Sequence, residues 1–297
     1  MHPAEAAGAP RGAAVPSGPT ALRIMVGSQL RRLREAKGIS RERAAESIRA
    51  THSKISRLEL GRSSFKQRDL SDLLNLYGIL DPDERSTLFE LARQAARPGW
   101  WHHYQDIMPG WLEPYIGLET AASVIRTYEV QFVHGLMQTE DYARAVVRMG
   151  NAVAPPAEID RRVALRMTRQ SVLDGPNPPK VWSVLDEAAL RRPLGGRDVM
   201  RRQLSHLLDL TDHHGVTLQI LPFHAGAHPA AGGPFTILRF PHGDLPDVIY
   251  LEQLNSALYL DKADEVHGYM RIMDELCVVA ESKGATRQTL ADLLDRI

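Results

Sequence analysis

The chain has 297 residues, more than one small domain usually needs, and its 43% hydrophobic and 24% charged residues lie in the range of globular proteins. Its single cysteine, Cys277, cannot form an internal disulfide or a structural zinc set, and no stretch approaches the ~20 apolar residues of a membrane span. The first twenty residues lack the basic start and apolar run of a signal peptide, so a cytoplasmic protein with two modules is expected.

A net charge of zero conceals a split. Residues 23–97 carry 16 basic and 10 acidic side chains, a net of +6, and the rest of the chain carries −6. Within residues 23–68 the count is 13 against 4, a net of +9, which is an electrostatic footprint for a polyanion.

Taken in order, residues 1–20 are Ala, Gly and Pro with little to bury, and are expected to form a disordered tail. Residues 21–97 read as five short helices. Val26, Leu30 and Leu33 recur at helical spacing before a stop at Gly38. Ser40 caps a second helix through Ile48, and Thr51 caps a third that ends at Gly61. Leu70, Leu73, Leu74 and Tyr77 stripe a fourth, and Asp81-Pro82 with Glu84 opens a fifth. A linker is expected over residues 98–114, followed by a regulatory or partner-binding domain over 115–297. That domain reads as α+β: strands near 123–133, 181–185, 216–220, 235–240, 248–251 and 257–260 alternate with helices. A mostly antiparallel sheet is expected because the last strands are joined by short loops.

The most informative stretch is ISRERAAESIRATHSKISRLELGR, residues 39–62. Ala44 and Ala45 are small where the second helix must cross the third, and Ile48, Ile55 and Leu58 form the wedge beneath. That leaves His52, Ser53, Lys54, Ser56 and Arg57 facing outward from the third helix, with Thr51 at its start. Arg and Lys pair naturally with guanine edges in a major groove, and Ser with bases or phosphates. Arg41, Arg62, Lys66 and Arg68 are placed to hold backbone phosphate.

With Ser40, Ala45, Thr51, Ile55, Ser56, Glu59 and Gly61 at this spacing, residues 22–78 resemble the XRE family of phage-repressor-like helix-turn-helix regulators. The resemblance implies a λ-repressor-like fold, a homodimer on an inverted repeat of double-stranded DNA, and a buried ion pair between Arg34 and Glu59. It departs at Arg49, where the family's turn usually has glycine, so a differently shaped turn is expected. Residues 100–297 resemble the C-terminal domain of unknown function found behind this helix-turn-helix in many actinomycete regulators. The resemblance rests on VHGLMQTEDYARAVV (133–147), PFTILRF (234–240) and VIYLE (248–252), with His134 and Met137 in place of the usual Pro and Leu. It implies an antitoxin-like regulator controlled by a small acidic protein partner.

Other chemistry reads weakly. Twelve histidines invite a metal, but His213, His214, His224, His228 and His242 lack acidic or Cys partners at ligand spacing. Gly226, Gly232 and Gly233 precede no Gly-Lys-Ser/Thr, and adjacent Asp186-Glu187 suit helix capping better than an acid/base pair. No cofactor is expected and the chain is not read as an enzyme. A transcription regulator answering to a small molecule, or a DNA-binding head fused to an enzyme, stand as alternatives.

Overall fold

A computed structural model describes residues 18–241 and 246–297. The expected tail falls almost wholly outside these residues, as does His242. Five helices come first: α1 (Pro19–Ala36), α2 (Arg41–Ser47), α3 (His52–Glu59), α4 (Gln67–Leu76) and α5 (Pro82–Ala95). Their starts follow the caps written in the sequence. The Ser40 hydroxyl accepts from the Arg43 amide, Thr51 from Lys54, and Asp81 from Asp83 and Glu84. Val26, Leu30, Ala44, Ala45, Ile55, Leu58, Leu70, Leu73, Leu74 and Tyr77 close one core between them.

The α2–α3 turn shows how this chain manages without the usual glycine. Arg49 occupies the left-handed region at φ 52°, and among the described residues no other non-glycine does so. The turn keeps its glycine-like shape, and the arginine bears a cost of about 1–2 kcal/mol.

Beyond a 3₁₀ turn at Trp100–Tyr104 comes α6 (Leu112–Ala121), a helix the sequence reading passes over. Then follow β1 (Val124–Glu129), α7 (Glu140–Gly150), α8 (Pro156–Gln170), β2 (Lys180–Asp186), α9 (Glu187–Arg191), α10 (Arg197–Leu210), β3 (Val216–Leu221), β4 (Phe235–Arg239), β5 (Val248–Glu252), β6 (Ala257–Leu260), α11 (Ala263–Val279) and α12 (Lys283–Asp295). The six strands make one sheet in the order β3-β2-β1-β4-β5-β6. The fold is α+β in two domains. The sheet is mixed: β1–β4, β4–β5 and β5–β6 pair antiparallel, while β1–β2 and β2–β3 pair parallel through the helical crossovers α7–α8 and α9–α10. Side chains alternate across it. Ile125, Leu218, Leu238 and Tyr250 meet α6, α7, α10 and α12, and Tyr128, Val184, Ile237 and Ile249 meet α11.

The two domains share α1. Its middle residues, Val26 and Leu30, belong to the helical core, whereas Ala21 is buried in the core of the sheet domain with Ile24 and Met25 packed against it. At the crossing with α6, a Cβ on Gly117 would lie 2.0 Å from the Thr20 hydroxyl, so only glycine lets the helices approach this closely.

Candidate nucleic-acid interface

Residues four apart share a helix face, so α3 divides into two sides. Ile55, Leu58 and Glu59 are buried beneath it. His52, Ser53 and Arg57 are exposed on the other side, with Ser56 half-buried between them. The sheet domain does not cover this side. The Arg57 guanidinium has no partner among the described residues, and the His52 imidazole lies 3.7 Å from the Glu42 carboxylate at the surface. Thr51 is exposed and its hydroxyl is spent on the helix cap.

Three of the cations placed at the interface from sequence are held by partners within the protein. The Lys54 ammonium pairs with the nearly buried Asp69 of α4, a contact that ties α3 to α4 and turns the lysine away from the outer face. Arg41 donates from Nε to a Glu59 oxygen at 3.1 Å. Arg62 donates to the Tyr259 carbonyl of β6 at 3.2 Å, and its guanidinium lies 5.8 Å from the centre of that tyrosine ring. Lys66 and Arg68 are exposed at the start of α4, where no side chain caps the helix, and Arg68 is 3.9 Å from Asp72. An uncapped helix start with two cations beside it suits a phosphate oxygen. Arg49 adds an exposed cation in the turn itself, which sequence reasoning treated only as a backbone problem.

Beneath the face lies the ion pair that fixes it. Arg34 meets Glu59 through two hydrogen bonds, one of them from Nη2 at 3.1 Å, with side chains only 8% and 2% exposed. The Glu59 hydrogen bond holds the guanidinium still more firmly protonated than usual, ahead of the opposing effect of burial. Arg34 also donates to the Ile39 carbonyl at 2.8 Å. One carboxylate therefore joins the end of α3 to α1 and, through Arg41, to the start of α2. Gly27 lets α1 come close: a Cβ there would meet the Leu58 carbonyl at 2.3 Å.

The sheet domain's VHGLMQT segment is a structural knot. His134 accepts the Leu136 amide hydrogen at Nδ1, so its Nε2 carries the proton toward the Tyr115 oxygen at 3.3 Å. Burial pulls the His134 pKa down to about 4, keeping the ring neutral. Gln138 donates to the Val133 carbonyl, Gln203 to that of Met137, and Gln170 to those of Gly135 and Gln138. Behind them Arg169 and Glu119 form a buried bidentate pair at 2.8 and 2.9 Å. Asp186 caps α9 through the Ala188 amide, and Glu187 accepts from Phe223 and Arg191. Among the described residues no group of three or more His, Cys, Asp or Glu could hold a metal ion, and no helix is long and apolar enough to cross a membrane.

Residues 26–88 match the family model of a helix-turn-helix domain, in agreement with the capped α2–α3 pair and its uncovered outer face, so the chain carries a DNA-binding domain of a regulator. Residues 112–292 match that of the domain of unknown function DUF5753, and the match begins with α6. No curated protein and no solved structure matches the chain. The chain belongs to the family of DUF5753 proteins, joined here to an N-terminal helix-turn-helix domain.

Proposed function

We propose that the protein is a sequence-specific transcription regulator of XRE type that binds an inverted repeat as a homodimer and does no chemistry of its own. The observation that carries this reading is the exposed, preorganised outer side of α3, with Arg57 unspent and the helix start capped by Thr51. Arg57 reads a base edge, His52, Ser53 and Ser56 add shorter contacts, and Lys66 and Arg68 position the domain on phosphate. Two such helices related by a two-fold axis would sit about 34–36 Å apart, one turn of duplex. The sheet domain is the regulatory half, in the cytoplasm and on the nucleoid. An antitoxin-like arrangement, in which a small acidic protein engages that half, is supported by the resemblance of its motifs to actinomycete regulators.

Genomic footprinting of the full chain, with neighbouring small reading frames present and absent, tests the reading. It expects a protected inverted repeat whose occupancy changes with an adjacent gene. A chain that binds no duplex at low ionic strength overturns it.

A further inference from the structure

A cavity of about 240 Å³ opens at the junction of the two domains. Its walls are apolar: Ile24 of α1, Leu60 just after α3, Leu118 of α6 and Val248 of β5. Arg31, half-buried, and Arg62, exposed, also line it and sit at its rim. Each arginine has committed one nitrogen, Arg31 to Glu35 and Arg62 to the Tyr259 carbonyl, and the remaining N–H groups have no other partner among the described residues. Two carboxylates reach the same space. Glu59 is spent on Arg34 and Arg41, and Glu35 already pairs with Arg31. Arg62, held by a carbonyl, is therefore the lining cation with no carboxylate partner among the described residues, and Asp261 is the remaining acidic group of the lining.

Volume and chemistry together define an occupant. At ~30 Å³ per water the cavity would hold about eight, most of them against hydrocarbon where they find few partners. It is smaller than the ~300 Å³ at which drug-sized pockets begin. We infer that the cavity is an effector site for a small amphipathic carboxylate, with a body the size of an eight-carbon chain or a single substituted ring against Ile24, Leu60, Leu118 and Val248 and its anionic end on Arg31 and Arg62.

The site lies where occupancy can be felt by DNA. Leu60, Gly61 and Arg62 are the residues into which the recognition helix runs, and Arg62 is held by the sheet domain. A bound carboxylate on Arg62 adds to the Tyr259 contact that ties the end of the recognition helix to the sheet domain, so occupancy bears on how α3 is set. Coupling of this kind is reciprocal: if the ligand weakens DNA binding by a factor, DNA weakens the ligand by the same factor. The coupling, though not the site, rests on the DNA-binding reading. An effect of about tenfold lies within the usual range for coupled sites.

Octanoate is the probe, with octanol as its uncharged counterpart, and the full chain is titrated by calorimetry without DNA. The expected result is one saturable octanoate site and octanol binding at least about tenfold weaker. Arg31→Ala should weaken octanoate while leaving operator affinity in its absence unchanged. Leu60→Trp, which fills the space from a half-buried position, should abolish binding; if that variant does not fold, Ile24→Phe serves the same purpose. Operator affinity, measured by anisotropy on a footprinted fragment, should fall about tenfold at saturating octanoate. Absence of saturable binding overturns the site, as does octanoate binding that ignores both Arg31→Ala and the filling variant. Octanoate binding with unchanged operator affinity overturns the coupling alone. Octanoate binding by a chain that ignores all duplexes sinks the DNA reading and leaves the site standing.

Discussion

Replacing Glu59 by alanine leaves the Arg34 guanidinium in a site from which water is nearly excluded. Arg34, 8% exposed at its side chain, would lose both Glu59 bonds and keep the Ile39 carbonyl and the half-exposed Glu35 carboxylate. Removing one partner of a buried ion pair costs about 3–5 kcal/mol, and two surviving acceptors place this case near 3 kcal/mol. If the helical domain melts by itself, each kcal/mol moves its midpoint by about 4–8 °C. If the shared α1 makes both domains melt together, the shift is about 2–4 °C per kcal/mol. Either way the midpoint should drop by at least roughly 6 °C, read by calorimetry on the full chain. The double variant Arg34→Met/Glu59→Leu removes both charges and should recover most of the loss, because buried pairs exchanged for packed apolar groups are often neutral. A Glu59→Ala midpoint within about 2 °C of the parent would refute the argument.

Four further outcomes follow from named contacts. Arg57→Ala should narrow the gap between operator and random duplex, whereas Lys66→Ala should weaken both alike and lower the slope of log K against log salt by about 1; equal effects from the two in competition binding would undo the division of roles. Arg49→Gly relieves the left-handed arginine at φ 52° and should stabilise the protein by about 0.5–1 kcal/mol after the entropy cost of glycine, measured by urea unfolding. Gly117→Ala drives a methyl into Thr20 and should cost about 1–3 kcal/mol, with the loss shared by both domains in calorimetry. Glu129, at the end of β1, has its pKa pushed up to about 8, chiefly by burial and with Glu252 adding to it, against the hydrogen bond from Thr127. A carboxyl raised on folding stabilises fully below its ordinary value and loses that contribution as pH rises through the folded one. Stability should therefore fall between about pH 5 and 8, and Glu129→Gln should flatten that decline in urea titrations; an unchanged pH profile would count against it.

What could be read from the sequence was local. Ser40, Thr51 and Asp81 announce helix starts because a cap acts within three residues, and Ile55 with Leu58 announces a buried side because the helical repeat is short. α6 escaped for the opposite reason. Tyr115, Ile116, Gly117, Leu118, Glu119 and Ala121 are all buried, so the helix presents no polar stripe, and Pro114 in its first turn reads as a breaker. The strands were visible singly, yet the parallel pairing of β1 with β2 depends on a crossover of two helices that no strand signal encodes. At the interface, charge and exposure on α3 were legible, but which cations are spent was not. Lys54 is held by Asp69, fifteen residues on, and Arg62 by Tyr259, 197 residues away.

The Arg62–Tyr259 contact, with α1 shared by two cores, changes what regulation must do. A DNA-binding head on a flexible tether could be switched only by moving it toward or away from a partner. Here Ala21 and Val26 lie little more than one helical turn apart and are buried in different domains, so turning the helix-turn-helix against the sheet would pull one of them from its core. Exposing even one such side chain costs on the order of 1 kcal/mol. The orientation of α3 is thus set by the sheet domain through α1 and the α6 crossing, and in a dimer the spacing of the two recognition helices inherits that setting. If the protein pairs as proposed, a signal received along α6, β5 or β6 need shift α1 only slightly to take the two recognition helices out of register with successive grooves.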